Sequence, residues 1–485
     1  MFYKFQFRRM NRPFVALLVL WLIGILSYGY IHQRQYNNPM ALSRLDLLHS
    51  IVLNGTVAID LYENNTPDKS FAKGHYYCDK APGTAALAFP GFYVAAKLLP
   101  LFGISVDSER GWMLSSWFCT LTSVGLITAT GNVCLFLWLR KFSADRPALV
   151  ATLAVIFGSM EFPYATMLMS HALVIGLISI ALYFLQIGLG PPARQIAPRS
   201  GRAIIKDLAA GVAGGLAVAS EYSSALVVFG ILVAVCGDSG KRAVIFALGA
   251  IPPLLLIPIY NFVCDGNPIS LPYSHEAVFV ENHVGFYGIH FPNIFNLTEL
   301  LIGVNQGIFY WTPFFFLAYY GYMVLFCKSR LAFWLCYAIP VIHVIVISGY
   351  YTIAAGGMLG PRLLAPIVPL LALAASVGAM RLPRLALILA LLSILLVSMA
   401  TVVDAHLPID YGGRFVVSYY IHQIYSGNVT HNLGMAFGLK GCLSIVPFLV
   451  VISMGVSYLW VVSGFSCDES TGATTGCTIF KEDLC

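Results

Sequence analysis

The stretch GHYYCDKAPG, residues 74–83, sets His75, Tyr76, Tyr77, Asp79 and Lys80 almost side by side, just before a long apolar run. A carboxylate beside an ammonium offers a proton acceptor next to a point charge. At the lip of an embedded segment, Lys80 either snorkels to lipid headgroups or holds a phosphate. Tyr76 and Tyr77 are either interface aromatics or ring faces on which a sugar stacks. Pro82-Gly83 suits a chain turning sharply into a helix. Upstream, Arg44 and Asp46 lie in Met40–Leu53, where apolar residues recur at helical spacing until Gly55 stops it. The pattern predicts an amphipathic helix on the membrane surface. Its charges form a solvated polar face, or Asp46 serves as a general base toward an acceptor hydroxyl or amine.

Further candidates are spread along the chain. His171, in YATMLMSHALV, is either a hydrogen-bonded structural residue or a site residue. Glu221, followed by Tyr222, lies within the apolar stretch 207–236, where a carboxylate is costly. The segment YSHEAVFVENH supplies His275, Glu276, Glu281 and His283. That density suits a divalent cation, although no fixed zinc spacing is present. Arg362, in GGMLGPRLL, either pairs with phosphate or pyrophosphate or anchors a helix end.

The elements that must position these residues are embedded helices. The 485-residue chain is 58% hydrophobic and 10% charged, against about 25% charged in soluble domains. Apolar runs fall near 13–31, 84–103, 112–139, 147–168, 171–189, 207–236, 243–263, 307–326, 331–350, 361–379, 385–403 and 441–464. The run 207–236 splits in two if it breaks at Ser220-Glu221. The basic start MFYKFQFRRMNR and the run after it predict an uncleaved first span with its N-terminus inside.

Basic clusters at Arg140/Lys141/Arg146, Arg194/Arg199/Arg202/Lys206, Lys241/Arg242, Lys328/Arg330 and Arg381/Arg384 mark the cytoplasmic side. They leave the outer loops 32–83, 264–306 and 404–440, which carry the sequons at Asn54, Asn64, Asn296 and Asn428. Two runs between the first outer loop and Arg140 give an even count where an odd one is needed. Either one of 84–103 and 112–139 does not cross, or the Arg140 cluster is not cytoplasmic. The eleven Cys show no CxxC pair and read as small core residues. Residues 1–464 read as a single transmembrane domain, and the polar stretch 465–485 as a disordered tail. Nothing suggests nucleic acid as a partner.

The order of YYCDKAPG, FPYATMLMSHA, GLAVASEYSSAL, GIFYWTPFFF, GGMLGPRLLAPIVPLL and HNLGMAFGLKGCLSIVPFL resembles the GT-C class of membrane glycosyltransferases. That superfamily includes the dolichyl-phosphate-mannose protein mannosyltransferases and the lipid A aminoarabinose transferases. The resemblance implies an all-α polytopic membrane protein, a bundle of about 12–13 embedded helices with amphipathic helices in a large first outer loop. It implies transfer of a hexosyl or pentosyl group from a polyprenyl-phosphate donor to a glycan, lipid or protein acceptor. The reaction would lie on the extracytoplasmic face, in a bacterial inner membrane, among membrane lipids. No cofactor is required by it, and a divalent cation is an option. Lys80 matches the class's phosphate-contacting Lys, with Arg44 and Arg362 as further phosphate contacts.

His75, Tyr76, Tyr77, His171, Glu221, Tyr222, His275 and Glu276 are expected to meet substrate. His171 stands where the class often has an Asp, and Glu221 where some members have a Lys. The Asp-Glu with which members open the first loop helix is replaced by NNPMA. The nearest acid, Asp46, comes about six residues later on a different helix face, so Asp46, Asp60 and Asp79 all stand as candidate bases. Two other readings share the architecture: a transporter or flippase of a lipid-linked or small polar substrate, and a non-catalytic subunit of an envelope glycan assembly complex. The first predicts internal repeats, and none is visible. The second needs no convergence of acids and bases.

Overall fold

The computed structural model describes residues 2–33, 38–187, 201–353, 357–406 and 416–464. The expected disordered tail and the Arg194/Arg199 part of one basic cluster lie outside the described residues. Among these, nine helices are long and apolar enough to cross a membrane. Three shorter apolar helices, Ser170–Leu185, Ser224–Asp238 and Pro313–Lys328, add to the bundle. The protein is an integral, multi-pass, almost wholly helical membrane protein, with one small hairpin in its first loop. The apolar run 207–236 does split: one helix ends at Ser220 and the next begins at Ser224.

Helix α1 (Phe2–Tyr30) leads into the first loop. Helix α2 (Pro39–His49) begins with Asn38 as its cap, whose side chain accepts from the Ala41 N–H at 3.0 Å, with Pro39 in the first turn. A wider helical turn carries it to Asn54, and Gly55 ends it at φ +67°. This is the helix that the spacing predicts. It does not present a solvated face, because Ala41 to His49 are all buried.

Strands β1 (Lys69–Ala72) and β2 (His75–Cys78) pair antiparallel around Lys73-Gly74. Both turn residues have positive φ, 52° and 84°, as a two-residue hairpin turn of the primed kind demands. Helix α3 (Gly83–Leu98) follows, with a last turn to Phe102. Gly83 must be glycine, since a Cβ there would sit 2.6 Å from the Ala219 carbonyl carbon.

The continuous helix α4 (Glu109–Leu139) runs antiparallel to α1. Trp117 donates to the Gly29 carbonyl at 2.9 Å, and Trp21 to Thr130 Oγ1 at 3.2 Å. Arg140 therefore lies at the end of the bundle where α1 begins. Helix α3 starts and finishes at the other end. Ahead of it, Asp79 accepts from Ser43 of α2 at 3.3 Å. Beyond it, Asp107 lies 3.6 Å from His49 of α2, and Phe92 within α3 packs edge-on against the His49 ring at 4.7 Å. An 11-residue α2 is only about 16 Å long, so a helix tethered to both halves of it does not traverse a bilayer.

With α3 lying against the loop face, the crossing count closes. The turns carrying Arg140/Lys141, Lys241/Arg242, Lys328/Arg330 and Arg381/Arg384 all fall at the end opposite the loops. Small residues let the bundle close where helices cross: a Cβ on Gly131 of α4 would come 2.3 Å from Gly176 Cα.

This arrangement predicts that single cysteines at Thr56 and Ser105, on either side of α3, react with a membrane-impermeant thiol reagent from the same side. The background should lack the exposed Cys236, Cys327 and Cys442. Labelling from opposite sides would mean that α3 crosses.

Candidate functional site

The hairpin register places Lys69 opposite Cys78, so the next pair along, Asp68 and Asp79, stands abreast at its open end. Lys80 Nζ pairs with both, closely with Asp79 and at 3.2 Å with Asp68. The second loop adds itself to the edge of β1: Ser70 bridges Glu276, and the Ala277 N–H donates to the Lys69 carbonyl at 2.9 Å. That brings the Glu276 carboxylate to the pair. Oxygens of Asp68, Asp79 and Glu276 all lie within 4.8 Å of one another, and all three residues are buried. Tyr273 covers the ammonium, its ring centroid 5.6 Å from Nζ.

Burial alone would lower the Lys80 pKa, but Asp68 and Asp79 outweigh it and hold the ammonium well above its ordinary range. Burial raises Asp68, with Lys80 opposing. Glu276 is pushed up to about 10 by burial and by the Asp79 charge. Both effects favour its neutral form, and its carboxyl faces that of Asp79. Asp68, Asp79 and Glu276 are the residues that could hold a cation. A hard divalent ion favours such oxygen ligands, but here it would have to displace the Lys80 ammonium that already supplies the counter-charge.

A second group adjoins the first across α2. Arg44 donates to the Met40 carbonyl at 3.0 Å and to Ser170 Oγ at 3.4 Å. The Ser170 hydroxyl in turn donates to Glu221 Oε2 at 2.6 Å. Arg362 arrives from the far end of the chain, its Nη1 2.9 Å from Met40 Sδ and its charge acting on Asp68. Each guanidinium keeps a buried Nε without a partner. His171 is buried with its Nδ1 3.8 Å from Glu221 Oε2 and its ring edge-on to Tyr164 at 5.2 Å. Tyr222 packs edge-on against Tyr273 at 5.8 Å.

The structure thus brings together Arg44, Asp79, Lys80, His171, Glu221, Tyr222, Glu276 and Arg362. It separates the others. Asp60 is half-exposed at the hairpin's outer edge, where its carboxylate meets His75 Nδ1 at 2.6 Å and the Tyr76 N–H at 2.7 Å. That acid organises the turn, and His75 and Tyr76 stay with it, Tyr76 beneath Lys69 Nζ at 4.7 Å. Tyr77 points the other way, into a small apolar core with Leu47, Ala85 and Cys264, so its ring offers no face to a sugar. His275 bonds to Asp265 at 3.1 Å and Ser270 at 3.2 Å rather than joining Glu281 and His283.

Asp46 is buried but on the opposite side of α2. At about 100° per residue, Met40, Ser43, Arg44 and Leu47 share one face, and Leu42, Asp46 and His49 the other. Asn65 donates to Asp46 Oδ1 at 2.9 Å, and burial pushes its pKa up to about 8 against that bond. Sequence reading missed Asp68, Asn65 and Ser170. Asp68 was findable only through the hairpin register, for which Lys73-Gly74 is the signal.

No family model matches the chain, and no curated protein matches it. Solved structures do. The chain is similar to ArnT from Cupriavidus metallidurans in the apo state, at 17% identity and a TM-score of 0.53, over 98% of this chain and 77% of that one. It is similar to the same protein bound to undecaprenyl phosphate at 16% identity and a TM-score of 0.48, over 97% and 76%. It is also similar to the archaeal oligosaccharyltransferase AglB from Archaeoglobus fulgidus, in complex with an inhibitory peptide and a dolichol-phosphate. There the identity is 12% and the TM-score 0.43, over 93% and 56%. The fold is of the GT-C class.

Glu276 gives a pH test of the cluster. Its folded pKa lies above the unfolded value, so between roughly pH 4.5 and 10 the folded state holds a proton that the unfolded state has lost. Stability should fall as pH rises through that window. Glu276→Gln should flatten this dependence, read from thermal midpoints in detergent. An unchanged slope would place Glu276 outside the cluster. Lys80→Met should destabilise by about 3–5 kcal/mol, because it leaves two buried carboxylates without their partner.

Proposed function

We propose that this protein is a polyprenyl-phosphate-sugar-dependent glycosyltransferase working at the loop face, on the extracytoplasmic side of a bacterial inner membrane. The observation that carries the reading is the convergence of Arg44 and Arg362 on Met40, beside a buried cluster of carboxylates. Two always-charged planar guanidiniums suit a phosphate held at the edge of an apolar bundle. Lys80, already paired twice, acts less as a phosphate ligand than as the group that pairs with Asp79 and holds it in place. The gathering of basic turns at the opposite end supports the orientation.

In this reading Asp79 is the base. It takes the proton from an acceptor hydroxyl or amine as that atom attacks the anomeric carbon of the donor sugar. The bond from that carbon to the phosphate oxygen breaks, and the phosphate leaves with the electron pair. Arg44 and Arg362 stabilise the growing phosphate charge. Glu221, fixed by Ser170 and next to His171, lies where it can accept sugar hydroxyls. Neutral Glu276 can donate a hydrogen bond to the phosphate or the sugar. Asp46 and Asp60 are not bases for this step, because neither reaches the Arg44 face.

The test is transfer of labelled sugar from polyprenyl-phosphate donors in proteoliposomes. Asp79→Asn should lower kcat by about 10²–10⁴-fold while polyprenyl-phosphate binding persists. Arg44→Ala and Arg362→Ala should weaken that binding. Asp46→Asn and Asp60→Asn should retain transfer. Full activity of Asp79→Asn, or loss of chemistry in Asp46→Asn with binding intact, would overturn the assignment of the base. Absence of transfer by the wild type across donors would favour the transporter or assembly-subunit readings.

A further inference from the structure

The face of α2 turned away from Arg44 borders a second, chemically different space. A cavity of about 470 Å³ is lined by Leu42 of α2, by Leu61, Tyr62 and Asn65 of the short turn before the hairpin, and by Asp107, Glu109 and Trp112 at the head of α4. Its size falls in the range of about 300–1,000 Å³ typical of small-molecule sites. Two buried groups on the Leu42 face of α2 are tied to its wall. Asn65 holds one oxygen of Asp46, and the other oxygen is buried without a partner. Trp112 stacks on His49 with ring centroids 3.7 Å apart and an interplanar angle of 11°. Both His49 ring nitrogens are buried without a hydrogen bond, and Asp107 stops 3.6 Å short of one of them. Asp46 and His49 lie behind the wall rather than on it, and their contacts to Asn65 and Trp112 fix the side chains that a ligand with hydroxyl or amine groups would meet.

The lining sets the class of that ligand. Two carboxylates and an amide offer acceptors and donors to hydroxyls, and Trp112 and Tyr62 bring aromatic surface to the ring of a sugar. Among the described residues no basic side chain lines the cavity, so an anionic group would meet the carboxylates of Asp107 and Glu109. Phosphate belongs across α2, at Arg44 and Arg362. We propose that this cavity is a saccharide subsite, taking a neutral or amine-bearing sugar of the acceptor at a distance from the reacting hydroxyl. This rests on the glycosyltransferase reading for the word acceptor, though not for the binding itself. A helix about 10 Å across separates the cavity from Asp79. The acceptor must therefore be longer than one ring, with a distal sugar seated here.

The test uses the full-length protein in nanodiscs with cellobiose, glucosamine and glucose 6-phosphate as probes, read by saturation-transfer NMR and tryptophan fluorescence. Cellobiose and glucosamine should bind and glucose 6-phosphate should not. The double variant Asp107→Asn, Glu109→Gln should weaken binding by about tenfold or more with an unchanged thermal midpoint. Asn65→Ala, as a second variant, should do the same from the opposite wall. Absence of binding by the wild-type protein, binding indifferent to these variants, or equal binding of glucose 6-phosphate would overturn the proposal. Failure of the donor reading would register separately, as polyprenyl-phosphate binding that ignores Arg44→Ala and Arg362→Ala.

Discussion

The loop face depends on one interaction, the Lys80 ammonium held between Asp68 and Asp79. Taking such ions out of water costs several kcal/mol each, and the attraction repays this only when the partners are fixed and satisfied. Each partner here is fixed by a different piece of chain. Asp68 leads into β1, Asp79 leaves β2 and is steadied by Ser43 of α2, and Glu276 joins from the second loop. Three segments that are far apart in sequence or structure are therefore locked to the point where α3 begins. Loss of the ammonium would loosen the hairpin, α2 and the second loop together.

Helix α2 is the partition that this lock secures. One of its faces carries the Arg44 guanidinium toward Ser170, Glu221 and Arg362, with a carboxylate cluster alongside. The other carries Asp46 and His49 toward Asn65 and Trp112. One face has fixed positive charge for an anion. The other borders a cavity whose walls, among the described residues, are acidic, amide and aromatic. Eleven residues thus divide two environments of different charge, a division that the proposed transfer from a phosphate-linked donor to a sugar-bearing acceptor would use.

Much of this was legible in the sequence. Apolar periodicity marks the body of the first loop helix and Gly55 its end, while its Asn38 cap shows only in the structure. The break at Ser220-Glu221 was readable because a carboxylate is hard to place within an apolar run. The resemblance implied Lys80, Arg44 and Arg362 as phosphate contacts, and the fold brings these three near Asp79. What stayed hidden were properties of the tertiary arrangement. Apolar length cannot tell a helix that crosses from one that lies against the bundle, and α3 is decided by its tethers to Ser43 and His49. A lysine at a membrane lip reads as a free cation until the hairpin register brings Asp68 to it. Tyr77 and Tyr76 look equivalent in sequence, yet strand alternation buries one and leaves the other at the edge. Asp46 reads as the base only while the face of α2 is unknown.

The most direct measurement is an experimental structure of the protein with a polyprenyl phosphate bound. The phosphorus should lie within ion-pair distance of both Arg44 and Arg362, on the side of α2 that carries Ser43, with Asp79 facing the position of the sugar. A phosphate found beside Asp46 and Trp112, or one that touches neither arginine, would contradict that placement.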